Sequence, residues 1–259
     1  MRIATWNVNS VRQRLPHLLD YLGKAAPDVL CLQELKCVDD AFPRAEIEAA
    51  GYRSAVHGQK GFNGVAILTR AEPLEVRIGL PGDEGDVQSR YIEAVMAGPA
   101  GPVRVASIYL PNGNPPDTDK FPYKLGFMDR LIRRASELIQ AEDCFVLAGD
   151  YNVIPEPRDA YDAAAWTGDA LFLPDTRRRF RTLLNLGLTE AVRATTDAAG
   201  VYSFWDYQAG AWQKDRGIRI DHLLLSPRAA DRLRSAAIDK HVRAADKPSD
   251  HVPVRIDLG

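Results

Sequence analysis

Phe145-Val146-Leu147-Ala148-Gly149-Asp150-Tyr151-Asn152 sets a short apolar run directly before two polar side chains. The run is apolar at successive positions rather than alternate ones. It therefore reads as a buried strand, covered on both faces. Val29-Leu30-Cys31-Leu32 repeats the pattern ahead of Glu34, and Ile3-Ala4-Thr5-Trp6 repeats it ahead of Asn7. Asp221 lies in Ile218-Arg219-Ile220-Asp221, and Asp250-His251 opens Val252-Pro253-Val254. A polar side chain on a buried strand is costly unless it is paired or holds a metal. Residues placed in this way predict one site along one sheet edge.

Outward from these strands, elements of both kinds alternate along the chain. Strands are expected over 2–9, 28–33, 52–56, 64–69, 74–78, 91–96 and 103–109, and again over 144–148, 203–207, 219–225, 236–241 and 252–258. Helices are expected over 12–26 with Ser10 as its cap, 44–50 ending at Gly51, 121–142, and 176–186 ending at Gly187. Gly98-Pro99-Ala100-Gly101-Pro102 reads as a hairpin turn, and 159–174, with Trp166, as a loop-rich excursion. Two strand groups, each flanked by helices, predict an α/β fold of two packed sheets under outer helices. No linker or low-complexity tract interrupts 1–259, so one domain is expected. Asn7, Glu34, Tyr109 and Asp150 fall at the C-terminal ends of their strands, and Asp250-His251 at the start of the last one. If that last strand runs antiparallel to its neighbours, its start reaches the same edge.

Composition narrows the class. The chain has 259 residues, 46% apolar, and a formal net charge of −2, so overall charge does not select a polyanionic partner. Local charge does: Arg177-Arg178-Arg179-Phe180-Arg181 is densely basic, and Lys214, Arg216 and Arg219 form a second group. A solvated helix face is the alternative reading of the first run. Three cysteines, Cys31, Cys37 and Cys144, lack metal-ligand spacing and a CxxC pair, which argues for a reducing, cytoplasmic setting. No signal segment and no bilayer-length apolar run is present, so no membrane partner is expected.

The polar strand ends have chemistry to offer. Glu34 suits a hard cation that prefers oxygen ligands, and Asn7 has an amide oxygen to add or a metal-bound water to orient. Asp150 and Asn152, at i and i+2, point the same way in extended chain. That would let Asp150 take a proton from a water while Asn152 fixes the water or the carboxylate. His251 with Asp221 suggests an imidazole kept cationic by a carboxylate and able to stabilise charge on a phosphate. Tyr109 and Asn112 are suitable donors to phosphate oxygens. Taken singly, each has an ordinary reading as a turn, strand-end or packing residue. His222, beside Asp221, should face the other way and be structural. His17, His57 and His241 have no evident partners.

At this point the chain resembles the exonuclease III family of DNA-repair nucleases, within the endonuclease/exonuclease/phosphatase superfamily. The resemblance is carried by Trp6-Asn7-Val8-Asn9, Leu32-Gln33-Glu34-Leu35-Lys36, Gly58-Gln59-Lys60-Gly61, Tyr109-Leu110-Pro111-Asn112-Gly113, Gly149-Asp150-Tyr151-Asn152, Ser203-Phe204-Trp205-Asp206-Tyr207, Arg216-Gly217-Ile218-Arg219-Ile220-Asp221-His222 and Pro248-Ser249-Asp250-His251. It implies a deoxyribonuclease I-like four-layer α/β sandwich, two mixed sheets face to face with helices outside. It also implies Mg²⁺-dependent hydrolysis of DNA phosphodiesters, with Mn²⁺ as a substitute, by a monomer acting on double-stranded DNA with abasic sites or 3′ ends. The expected activities are abasic-site incision, 3′→5′ exonuclease and 3′-end cleaning.

The resemblance also implies residue roles. The metal goes to Glu34, Asn7 and Asp250. Catalysis goes to Asp150, Asn152, His251, Asp221 and Tyr109. Phosphate and DNA binding goes to Asn112, Lys36, Arg216 and Arg219. A pocket for an extruded abasic sugar falls to Phe204, Ile218 and Ile220, for which core packing is the alternative. Asn9 stands where some relatives have a second carboxylate, and 113–120 lacks an arginine that some relatives carry. A phosphomonoesterase of the same superfamily and a non-catalytic DNA-binding module are the competing readings.

Overall fold

A computed structural model describes residues 1–259. Its strands are β1 (Arg2–Asn7), β2 (Val29–Gln33), β3 (Arg53–His57), β4 (Val65–Thr69), β5 (Glu75–Ile78), β6 (Tyr91–Met96), β7 (Val103–Tyr109), β8 (Phe145–Asp150), β9 (Thr189–Glu190), β10 (Asp221–Leu225), β11 (Leu233–Ile238) and β12 (Val254–Leu258). The helices are α1 (Leu15–Ala25), α2 (Arg44–Ala49), α3 (Lys120–Gln140), α4 (Pro174–Asn185) and α5 (Pro227–Ala230).

Two six-stranded mixed sheets form, in the orders β11-β12-β1-β2-β4-β3 and β5-β6-β7-β8-β10-β9. Their facing sides make one core, with Ile3, Val29, Cys31 and Ile67 from the first sheet against Val105, Val146, Ala148 and Leu223 from the second. The outer side of the first sheet, through Ala4, Trp6, Leu30 and Leu32, packs on Leu18 and Leu22 of α1 and Ile47 of α2. The outer side of the second, through Ala106, Phe145 and Leu147, packs on Phe127 and Leu131 of α3 and Phe180 of α4. Successive side chains of one strand thus enter different cores, which is why β2 and β8 are apolar at nearly every position. The four-layer expectation holds.

The sheets do not divide by halves of the chain. The first sheet takes its strands from both chain termini, and β5 to β10 make the second. β12 lies antiparallel to β1, while β1 and β2 run parallel, as do β7 and β8. The chain just before β12 therefore reaches the edge where β1, β2, β7 and β8 end. Gly149 allows the close pairing near that edge: a Cβ there would lie 2.0 Å from the Ile108 carbonyl oxygen.

Several local expectations are corrected. Ser10 does not cap α1, which starts at Leu15 after Arg14 without a side-chain cap. Instead the Ser10 N–H donates to the Glu34 carbonyl at 2.8 Å, and its φ is 87°. Residues 203–207 are not a strand. Phe204 makes isolated bridges to Ile218 and His251, and the chain then turns where Gln208 N–H donates to Asp206. The short α5 was missed, although Ser226-Pro227 is a recognisable helix start and the Ser226 side chain accepts from Ala229 N–H. No helix is long and apolar enough to cross a membrane.

Candidate active site

The loops beyond the strand ends hold the site in an unusual backbone. Asn9, Ser10, Glu34, Lys36 and Asn152 all have positive φ without being glycine. Such conformations each cost of order 1 kcal/mol or more and persist where the surroundings over-determine them. Here the surroundings are backbone bonds between loops: Val8 N–H to Gln33 O, Ser10 N–H to Glu34 O, Val11 N–H to Leu35 O, and Leu35 N–H to Gly64 O. Together they fix the direction of Glu34.

Glu34, Asp150 and His251 meet, with one donor atom from each lying within 4.8 Å of the others. Asn7, fully buried, joins the two carboxylates: its Nδ2 donates to Glu34 Oε1 at 2.8 Å and to Asp150 Oδ2 at 3.0 Å. Its amide oxygen accepts from Asn9 N–H at 3.0 Å, which fixes the amide orientation. Asn7 is thus a donor between the two carboxylates. Asp250 is outside the group. It accepts from Asn9 Nδ2 at 3.0 Å and from the Ser249 hydroxyl. Lys36 lies between Glu34 Oε2 at 3.0 Å and Asn9 Oδ1 at 2.5 Å.

His251 stands between two acids. Its Nδ1 is 2.8 Å from Asp221 Oδ2, and its Nε2 is 3.7 Å from Asp150 Oδ2. Burial alone would lower the imidazole pKa, but Asp221 and Asp150 outweigh it and raise the value well above the ordinary histidine range. Asp150 is raised in its turn, first by burial and then by Asp221, against the opposing charge of His251. Asp221 also accepts from the Ser203 hydroxyl at 2.6 Å, and that oxygen accepts in turn from Ile220 and Asp221 N–H. No spacing in the sequence singles out Ser203.

Asn152 is not in extended chain, so the i, i+2 argument does not describe it. Its φ is 47°, and its own N–H donates to Asp150 Oδ1 at 2.9 Å. Its side chain donates to Leu110 O and accepts from Asn112 Nδ2, both at 3.0 Å. The Tyr109 phenol is pushed far up by burial, Glu34 and Asp150, so it stays protonated and can only donate its proton to an anion. Arg90, absent from the sequence-level assignments, has its guanidinium 4.8 Å from the Tyr109 ring centre.

The model of the Endonuclease/Exonuclease/phosphatase family matches residues 4–251. The chain belongs to this family. It is 36% identical over 263 residues to exodeoxyribonuclease III of Haemophilus influenzae, covering 98% of each chain. It superposes on a 3′ phosphatase from Neisseria bound to a product DNA hairpin with a TM-score of 0.96 and 38% identity, over 100% of this chain and 99% of that one. An AP endonuclease from Archaeoglobus fulgidus gives 0.94 and 36%, with the same coverage. The deoxyribonuclease I-like architecture and the exonuclease III resemblance are thereby established.

Three further assignments differ within this exonuclease III-type chain. Arg219 is not free to bind DNA. It is 1% exposed and paired through Nε with Asp159 at 2.9 Å and through a terminal nitrogen with Glu190 at 3.0 Å. Ile218 and Ile220 are 3% and 2% exposed and pack with Ile154, Ala160 and Leu171 in a small apolar cluster against which Phe204 also lies, which favours the core reading. Phe204 is partly buried and meets the His251 ring edge-on at 4.9 Å. Arg216 remains exposed, over the Tyr161 ring at 5.3 Å. In the basic run, Arg179 is bound to Asp129, Arg178 to Asp175 and Arg177 to Pro155 O, which favours the helix-face reading. His222 is buried, with Nδ1 at 3.0 Å from Arg219 and Nε2 at 3.0 Å from Val153 O, and is structural.

Proposed function

We propose that this DNA-repair phosphodiesterase uses Mg²⁺, bound at Glu34, to hydrolyse DNA at abasic sites and 3′ ends, leaving a 3′-hydroxyl. The observation that carries the reading is the meeting of Glu34, Asp150 and His251 within 4.8 Å where the strand ends of both sheets converge. The donor set suits the metal. Glu34 and Asp150 offer carboxylate oxygens, which a hard cation prefers. His251 is engaged with Asp221 and positively charged, which makes it a poor ligand and a good partner for phosphate. When bound, the metal supplies Lewis-acid charge at the phosphate oxygens.

The protein groups divide the remaining work. Asp150, raised by burial, takes the proton from the attacking water while the Asn152 N–H holds its other oxygen. The imidazolium of His251, kept charged by Asp221, neutralises a non-bridging oxygen. Tyr109 and Asn112 donate to the same phosphate, and Asn7 orients Glu34 through its amide hydrogens. Phe204 offers an apolar edge to a sugar that lacks its base. The relatives differ in activity by their own descriptions, a 3′ phosphatase and an AP endonuclease at nearly equal similarity. Similarity therefore does not rank the activities.

A gel assay on three substrates tests the reading: an abasic duplex, a blunt duplex and a nick with a 3′-phosphate, each with Mg²⁺ and with EDTA. Mg²⁺-dependent products ending in 3′-hydroxyl are expected. DNA binding without cleavage of any of the three would refute it.

A further inference from the structure

Lys124 comes from α3, yet its side chain is fully buried beneath the active-site edge. Its Nζ donates to the carbonyl of Asn112 at 3.0 Å and to that of Asn152 at 2.6 Å. These carbonyls lie in two different loops, one leaving β7 and one leaving β8. The same loops are tied by side chains, Asn112 Nδ2 donating to Asn152 Oδ1 and Asn152 Nδ2 to Leu110 O. Asn152 N–H then holds Asp150 Oδ1. One amine on an outer helix is thus two hydrogen bonds from the carboxylate assigned to water activation and one hydrogen bond from the phosphate donor Asn112.

The loop is shaped around this lysine. Gly113 has φ 88°, and a Cβ there would lie 2.7 Å from Lys124 Cδ. Burial is unfavourable to the ammonium and pushes its pKa down to about 7, although Asp150 and Asp169 oppose the shift. An amine keeps two N–H groups even when neutral, so both bonds survive in either state. An apolar side chain would fill the same space without the desolvation cost, but it would leave the two carbonyls without that donor.

We propose that Lys124 is a positioning residue for DNA hydrolysis, clamping the Asn112 and Asn152 loops so that Asp150 and the phosphate donors keep one geometry. The inference rests on the roles given above to Asp150, Asn152 and Asn112. Misplacing reacting groups by about 1 Å costs up to roughly 100-fold in rate.

The test is a double-mutant cycle in the full chain with Mg²⁺ and an abasic duplex. Lys124→Met should lower kcat roughly 10- to 100-fold, with KM changed less than about twofold. In an Asp150→Asn background, where the carboxylate that the clamp positions is absent, Lys124→Met should lower the residual kcat by a much smaller factor. A lysine with only a structural role would lower kcat by the same factor in both backgrounds, and that result would overturn the proposal. Should Lys124→Met not fold, Lys124→Gln enters the same cycle with the same expectations. A parent that cleaves no DNA substrate removes the functional reading and this proposal together. An active parent whose kcat is untouched by Lys124→Met removes this proposal alone.

Discussion

Asp150 and Asp221 are register partners on the antiparallel strands β8 and β10, and His251 closes that rung with a nitrogen toward each. Two buried carboxylates on adjacent strands repel, and a charged imidazole between them offsets the repulsion. The fold places the pair on one sheet and brings the histidine from the other, in the chain just before β12.

Asp150→Asn should lower turnover roughly 10²- to 10⁴-fold, the range for one general base. It should not lower the melting temperature, because it removes a charge that burial and Asp221 both disfavour. Single-turnover rates and thermal melts check the two halves. A rate within tenfold of the parent would contradict the assignment.

His251→Gln should move the acidic limb of the pH–rate profile to higher pH, besides slowing the reaction. The sign follows from charge. Cationic His251 lowers the Asp150 pKa, so its removal lets burial and Asp221 raise that pKa further. Profiles of kcat for parent and variant at one fixed Mg²⁺ concentration decide it, and a shift to lower pH would count against the pairing.

Arg219→Met should destabilise the fold by about 3–5 kcal/mol, because Asp159 and Glu190 are left buried without their shared cation. DNA affinity per folded molecule should be unchanged, since the guanidinium is enclosed. Urea unfolding and a DNA titration measure the two effects. Weakened DNA binding with undiminished stability is the result that would restore Arg219 to the DNA-contact group.

Glu190 should make the fold acid-sensitive. Burial alone would raise its pKa, but Arg219 and His222 lower it from 4.5 to about 2. A depressed carboxylate contributes stability that is fully present above its unfolded pKa and is lost as pH falls through the folded value. The loss should therefore run from pH 4.5 down to about 2 and amount to about 3 kcal/mol. Glu190→Gln should flatten the dependence of stability on pH across that interval, read from urea midpoints. An unchanged slope would show that other acids set it.

The sequence by itself determined most of the elements and the ingredients of the site. Strands apolar at nearly every position, such as β2 and β8, announce that both faces are covered, because exposure of either face would cost hydrophobic free energy. The polar residues at the ends of such strands, Glu34 and Asp150 after an apolar run and His251 ahead of one, pointed to the site. Only the tertiary structure decided how these were used. The first sheet closes with strands from both chain ends, and no local pattern encodes that pairing. Asn7 turns its amide hydrogens to two carboxylates because Asn9 N–H fixes its orientation, and Arg219 is enclosed because two acids distant in sequence converge on it. Side-chain type is local information. Partner, orientation and burial are set by residues that meet through long-range packing.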